Sequence, residues 1–183
     1  RLELLHLVPR DFLRDQPRVA VQRVLQTDQT RVVQRDLLVH DHSVFLERLA
    51  DVTEQLVRRP SVYGNESALA DALHAWARPI FGSDIFRIGN SLVLGDLKST
   101  RRLPTLVFAG HLDTVSPSEP VGENGIPLVR RAGEKIFGLG ASDMKGALAV
   151  MMVLAHDLDR STLPVNPVFV FYDKEEGPIA ESG

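Results

Sequence analysis

The 183-residue sequence has no cysteine, so disulfide staples, thiolate metal ligands and cysteine nucleophiles are all excluded. Lysine is nearly as scarce. Four lysines stand against 17 arginines, a bias that reads as GC-rich codon usage rather than as a binding feature. The formal charge of −3 removes the electrostatic case for nucleic acid or an anionic membrane as partner. No apolar run reaches the roughly 18–20 residues a membrane-crossing helix needs. No signal-peptide pattern opens the sequence, so a cytoplasmic location is expected. A Gly-Lys-Ser/Thr phosphate loop is missing too, and Gly138-Leu139-Gly140 fails as a dinucleotide fingerprint because Asp143 stands where glycine is required. What remains, 44% hydrophobic and 25% charged, suits one ordinary globular domain with a sizeable core.

Both ends are irregular. The sequence begins at Arg1 and its first methionine is Met144, so a piece of a longer protein is expected. Residues 1–43 are rich in Arg, Gln, Asp and Val; Pro9 and Pro17 interrupt any early helix. Periodicity does not choose between helix and polar strand for Gln22 to Leu38. Residues 1–43 are either a real N-terminal extension or upstream sequence translated in frame, with Val44 as the true start. The main domain is expected over 44–183.

From Val44 the pattern sharpens. Phe45, Leu46, Leu49, Val52, Leu56 and Val57 recur at helical spacing, and the helix should stop before Pro60. Pro60 to Glu66 reads as a turn, after which Asn65 or Ser67 caps a helix running to about Ala77 with Leu69, Leu73 and Trp76 on its apolar face. Ile85–Ile88 and Ser91–Gly95 read as strands around a Gly89-Asn90 turn. Leu106 to Ala109 is a near-continuous apolar run, as expected of a central strand buried on both faces. Ser116 to Pro127 reads as a loop, and Arg130 to Leu139 as a hairpin turning at Gly133-Glu134. Met144 to Leu158 gives the clearest helix, with Leu148, Met151, Met152 and Ala155 as a core-filling stripe. Val168 to Tyr172 is another buried strand. Strand, helix, strand in this order predicts a βαβ crossover, and so an α/β fold with a mostly parallel central sheet.

Three groups of polar residues follow apolar runs: Gly110-His111-Leu112-Asp113, Asp143 in GASDMKG, and Glu175-Glu176 in YDKEEG. Ligands gather at the carboxyl ends of strands in such sheets. Residues two apart in extended chain share a face, so His111 and Asp113 suit a metal-bound imidazole braced by a carboxylate. Adjacent glutamates in extended chain point opposite ways, one toward a metal and the other toward a water. Each group alone has a plainer explanation. His-x-Asp is commonly a surface pair, Asp-Lys-Glu-Glu a solvated loop, and Asp143 a helix cap.

GHLDTV, GLGASDMKGALAVMM and VFVFYDKEEG, in that order and with PSVYGNE ahead of them, resemble the zinc aminoacylase and carboxypeptidase family of co-catalytic metallohydrolases. That family includes succinyl-diaminopimelate desuccinylase and acetylornithine deacetylase, and the similarity covers about Val44 to Gly183. FYDKEEG looks most like the desuccinylase branch. The resemblance implies a three-layer αβα catalytic domain, present here in part and without its lid domain. It implies two Zn²⁺ ions (Co²⁺ or Mn²⁺ as substitutes), with His111 on one, Glu176 on the other and Asp143 bridging. Asp113 would orient His111 through its second nitrogen, Glu175 would act as general base, and the Asp143-Met144 bond would be cis.

The implied substrate is an N-acyl amino acid, foremost N-succinyl-LL-2,6-diaminopimelate. Acetylornithine deacetylase, aminoacylase and metallo-dipeptidase activities are the alternatives within the family. A further acidic ligand, a histidine and a lid that mediates homodimerisation are implied from outside this sequence. Each metal would keep one terminal ligand plus the bridge, so residues 1–183 alone are expected to be inactive and to bind metal weakly. The competing class is a non-catalytic binding domain on the same fold; the intact His111, Asp143, Glu175 and Glu176 speak against it.

Overall fold

The computed structural model describes residues 42–118 and 129–181. The readings of 1–41, of the Pro- and Gly-rich stretch 119–128 and of the last two residues lie outside the described part. In chain order the elements are α1 (His42–Val57), α2 (Ser67–Phe81), β1 (Ile85–Ile88), β2 (Ser91–Leu94), β3 (Thr105–His111), β4 (Arg130–Ala132), β5 (Lys135–Phe137), α3 (Gly146–Asp157) and β6 (Asn166–Tyr172). No helix among the described residues is long and apolar enough to cross a membrane.

The central sheet has the order β1-β2-β6-β3. The expected crossover is present: β3 and β6 run parallel, with Phe108 opposite Phe169 and His111 opposite Tyr172, and α3 connects them. The Gly89-Asn90 turn folds β1 back on β2, and β2 runs antiparallel to β6, so within the central sheet parallel pairing is confined to β3–β6. The two-residue connection imposes the antiparallel β1–β2 pair, because a parallel neighbour needs a crossover of a dozen residues or more.

The core lies on one face of this sheet. Leu92, Leu94, Phe169 and Phe171 are fully buried there with Leu69, Leu73 and Phe81 of α2 and Leu148, Met151 and Met152 of α3. Phe169 stacks on Phe108 at 5.1 Å and meets Phe81 edge-on at 6.3 Å, both favourable aromatic geometries. Val52 and Leu56 bring α1 into the same cluster. The α/β class therefore holds, and the described residues form two of the three expected layers.

Several local expectations need correction. β3 is an edge strand, and Val107 is 54% exposed rather than buried on both faces. Alternation along β3 turns Val107 to the face opposite Phe108, away from the core cluster. In α1 the apolar first turn is exposed at Val44, Phe45 and Leu46, and packing begins at Leu49. α2 continues through Pro79 to Phe81, because Gly82 N–H closes the last turn on the Arg78 carbonyl at 3.0 Å. At its start neither Asn65 nor Ser67 caps. Glu66 holds the N-cap position, and its Oε1 accepts the Gly64 amide at 2.7 Å.

The β4–β5 hairpin turns at Gly133 (φ +56°) as expected. Arg131 pins it to α1 by pairing with Glu47 and Asp51.

Candidate metal centre

His111 is the last residue of β3 and is buried. Its Nδ1 donates to the backbone carbonyl of Asp113 at 3.0 Å, and Nε2, the ring position left for a cation, meets Asp143 Oδ1 at 3.0 Å. Burial alone would lower the imidazole pKa. Hydrogen bonds to Asp143 and the Asp113 carbonyl, with both carboxylate charges, outweigh it and hold the ring above its ordinary value. The same negative field reaches Tyr172, whose phenol is pushed up by burial and then by Glu175, Asp113 and Asp143.

Asp113 is fully buried, and its role differs from the one expected. Its carboxylate lies 3.6 Å from His111 Nδ1, beyond hydrogen-bond reach, and instead accepts the backbone amides of Glu175 at 3.1 Å and Glu176 at 2.8 Å. The main chain of Asp113 thus orients the imidazole, and its side chain fixes the loop after β6.

Asp143 sits in the turn Ala141–Lys145 ahead of α3, not at the end of a strand of the central sheet. Asp143 and Met144 have non-helical dihedrals, and the bond between them is cis, as the resemblance implied. Asp143 caps nothing. The residue before α3 is Lys145, and no side chain makes a cap hydrogen bond there. The Asp143 side chain is 73% exposed and open to a ligand. Gly140 (φ +75°) allows the turn: a Cβ there would fall 2.4 Å from Thr114 Cγ2.

Glu175 and Glu176 occupy a turn after β6 rather than extended chain, with Lys174 in the left-handed region (φ +64°). The expectation that they point opposite ways therefore fails. Ligand atoms of His111, Glu175 and Glu176 all lie within 4.8 Å of one another. Of the five residues singled out in the sequence, Asp143 and both glutamates gather around the His111 ring, while Asp113 supports them from behind.

These residues fit a divalent cation. One imidazole nitrogen meets Asp143, ligand atoms of Glu175 and Glu176 lie within 4.8 Å of the imidazole and of each other, and the second ring nitrogen is tied to a carbonyl, as in the braced histidines of metal sites. An N/O donor set without thiolate suits Zn²⁺, Co²⁺ or Mn²⁺.

Two supporting residues escaped sequence reasoning. Lys145 is only 1% exposed and donates Nζ to the Arg59 carbonyl at 2.6 Å. Burial, and then the nearby Arg59 charge, push its ammonium down to about 8. Tyr63 packs so closely on Gly177 that a Cβ there would lie 1.9 Å from its Cε2. Lys145 did carry a signal, a lone lysine at the head of an apolar helix. Tyr63 carried none.

The model of peptidase family M20/M25/M40 matches residues 107–183. The chain is 39% identical over 134 residues to a putative succinyl-diaminopimelate desuccinylase, DapE, of Mycobacterium tuberculosis; the match covers 73% of this chain and 35% of that protein. The chain thus spans about a third of the length of the curated relatives it matches. A tripeptidase from Staphylococcus aureus superposes with a TM-score of 0.56 at 27% identity, covering 72% of this chain and 37% of its own. A Bacillus subtilis protein described as a dinuclear metal binding peptidase from the M20 family shares the fold, with a TM-score of 0.51 at 16% identity over 76% of this chain and 38% of its own. Through these matches and the GHLDTV, GASDMKG and YDKEEG motifs that fall within the matched segment, residues 107–183 are a segment of a peptidase family M20/M25/M40 domain.

Proposed function

We propose that the protein is a metal-dependent amidohydrolase that cleaves N-succinyl-LL-2,6-diaminopimelate to diaminopimelate and succinate, a step of lysine biosynthesis. The observation that carries this reading is the convergence of ligand atoms of His111, Glu175 and Glu176 within 4.8 Å of one another, with Asp143 on Nε2 of the same imidazole. The similarity to desuccinylases favours the succinyl substrate over other N-acyl amino acids.

In this reading His111 and Glu176 would each hold one of two Zn²⁺ ions and Asp143 would be shared between them; the dinuclear description of the Bacillus subtilis neighbour is in keeping with a pair. When bound, the ions would polarise the scissile carbonyl, lower the pKa of the attacking water and balance the oxyanion. Glu175 takes the proton from that water and passes it to the departing amine as the C–O bond forms and the C–N bond breaks. Asp113 keeps the glutamate loop and the imidazole in register throughout.

His111, Asp143 and Glu176 give each ion one terminal ligand and a shared bridge, too few to close either site. The remaining ligands, the substrate contacts and a homodimer surface then come from polypeptide outside these residues. Residues 44–183 form part of the catalytic domain, 1–43 precede it, and the protein works in the cytoplasm.

A second reading, a peptidase, is favoured by the structural match to a tripeptidase. The full-length gene product loaded with Zn²⁺ or Co²⁺ separates the two. Release of succinate from N-succinyl-diaminopimelate, far ahead of turnover of N-acetylornithine, dipeptides and tripeptides, is the expected result. Preferential peptide turnover establishes the second reading, and no metal-dependent turnover of any of them overturns both.

A further inference from the structure

The turn of residues 59–64 holds none of the proposed ligands, yet it touches all three segments that do. At its start, the Arg59 carbonyl accepts Lys145 Nζ at 2.6 Å, two residues beyond Asp143. In its middle, Thr114 N donates to Ser61 O at 2.9 Å and Tyr63 N to Thr114 O at 3.0 Å, a short parallel bridge to the chain just past His111 and Asp113. Toward its end the Tyr63 ring lies on Gly177, immediately after Glu176, with no space for even a methyl group between them.

The three ligand segments come from distant parts of the sequence; Asp113 ties the first to the glutamate turn and His111 meets Asp143, and the 59–64 turn is a separate element that touches all three. An ammonium as deeply buried as Lys145 is costly, and an apolar stem of the same length would fill its space without that cost. Its hydrogen bond to Arg59 is what a methionine there would lose. The turn 141–145 also closes on itself through Lys145 N to Gly140 O at 2.8 Å, so the side chain and main chain of one residue anchor both ends of the Asp143 turn.

We propose that the 59–64 turn is the bracket that sets the spacing of the metal site, with Lys145 as a positioning residue for Asp143 and Tyr63 for the Glu175–Glu176 turn. The functional meaning of the bracket rests on the metal reading above; its geometry does not.

The test uses Lys145→Met, Lys145→Arg and Tyr63→Ala in the full chain with two readouts. The first is amide hydrogen exchange without metal. Lys145→Met is expected to speed exchange at least tenfold in 140–146, and Tyr63→Ala in 175–177, while β6 keeps the protection of the unsubstituted chain. The second is Co²⁺ titration followed by visible absorption. Each of these two variants is expected to weaken Co²⁺ binding roughly 10- to 100-fold, as loss of a group supporting metal ligands typically does, and Lys145→Arg to recover part of it. Unchanged exchange in both loops overturns the bracket. So does a uniform rise across the loops and β6 alike, which would mark mere loss of stability. A chain whose Co²⁺ response equals that of His111→Ala sinks the metal reading instead, and the exchange data then decide the bracket alone.

Discussion

Asp113 Oδ2 accepts the backbone amide of Glu176 at 2.8 Å, across 63 residues of sequence and between the ends of the two parallel strands. The other oxygen takes the Glu175 amide at 3.1 Å. A carboxylate offers acceptors only, so two N–H groups can point at it without conflict. An asparagine would turn an N–H₂ toward one of them. Asp113→Asn is therefore expected to cost about 2 kcal/mol in denaturant unfolding, the range for a hydrogen bond to a charged buried group. It should also weaken Co²⁺ binding more than its stability loss explains. A near-neutral Asp113→Asn would show that these two hydrogen bonds do not hold the loop.

Gly140 and Thr114 make a second, sharper test. Alanine at 140 must adopt a left-handed φ of +75° and place its Cβ 2.4 Å from Thr114 Cγ2. The backbone cost is about 1 kcal/mol and the overlap adds a further 1–3 kcal/mol. Thr114→Ser removes the clashing methyl but leaves the dihedral cost. The double variant Gly140→Ala/Thr114→Ser should regain the overlap portion and no more, as a double-mutant cycle in urea would measure. Simple additivity of the two single changes would contradict the close approach.

Much of this architecture was legible in the sequence. Gly89-Asn90 and Gly133-Glu134 announce their hairpins, and the stripe Leu148, Met151, Met152, Ala155 is buried as its spacing requires. The chemistry-bearing residues were legible because they fall in three short motifs with a fixed order. What was not legible depends on tertiary geometry. Whether Asp113 braces an imidazole with its side chain or its carbonyl is decided by a loop 62 residues away. That the two glutamates converge rather than diverge depends on Lys174 taking a left-handed conformation, which lysine rarely signals. The exposure of Val107 could not be read from an apolar run, since the run specifies burial but not by what.

Helix α1 is tied to α3 by Arg48, which is largely buried and forks onto Asp157 at 2.7 and 3.0 Å. Burial alone would raise the Asp157 pKa; hydrogen bonds from His156 and Arg48, with their charges, outweigh it and hold the carboxyl below its ordinary value. A depressed acidic pKa contributes stability above the unfolded-state value, near pH 4. That contribution is lost as pH falls below it toward the folded-state value. Asp157→Asn should therefore show its full stability deficit at pH 7 and a shrinking one through the acid range. Arg48→Met leaves the carboxylate buried without its cation and is expected to cost about 3–5 kcal/mol at neutral pH. Chemical denaturation of the three proteins from pH 3 to 7 checks both, and a deficit that does not change with pH would exclude the ion pair as its source.

Glu175 and Glu176 lie close enough to His111 that distance alone does not divide their labour. Their proposed roles do, because a ligand sets metal affinity while a general base sets turnover. Glutamine keeps the size of each side chain and removes its charge. Glu176→Gln should lower Co²⁺ affinity by at least about 100-fold, the upper end of what loss of an outer support costs. Glu175→Gln should leave metal content and substrate KM near those of the parent. Its kcat should fall by roughly 100- to 10,000-fold, the range typical of a lost general base. The discriminating measurement is metal content by mass spectrometry alongside steady-state kinetics on the metal-loaded full-length protein. Should Glu175→Gln be the variant that sheds metal while Glu176→Gln retains it and loses turnover, the two assignments exchange places. Their common convergence on His111 makes either order chemically feasible.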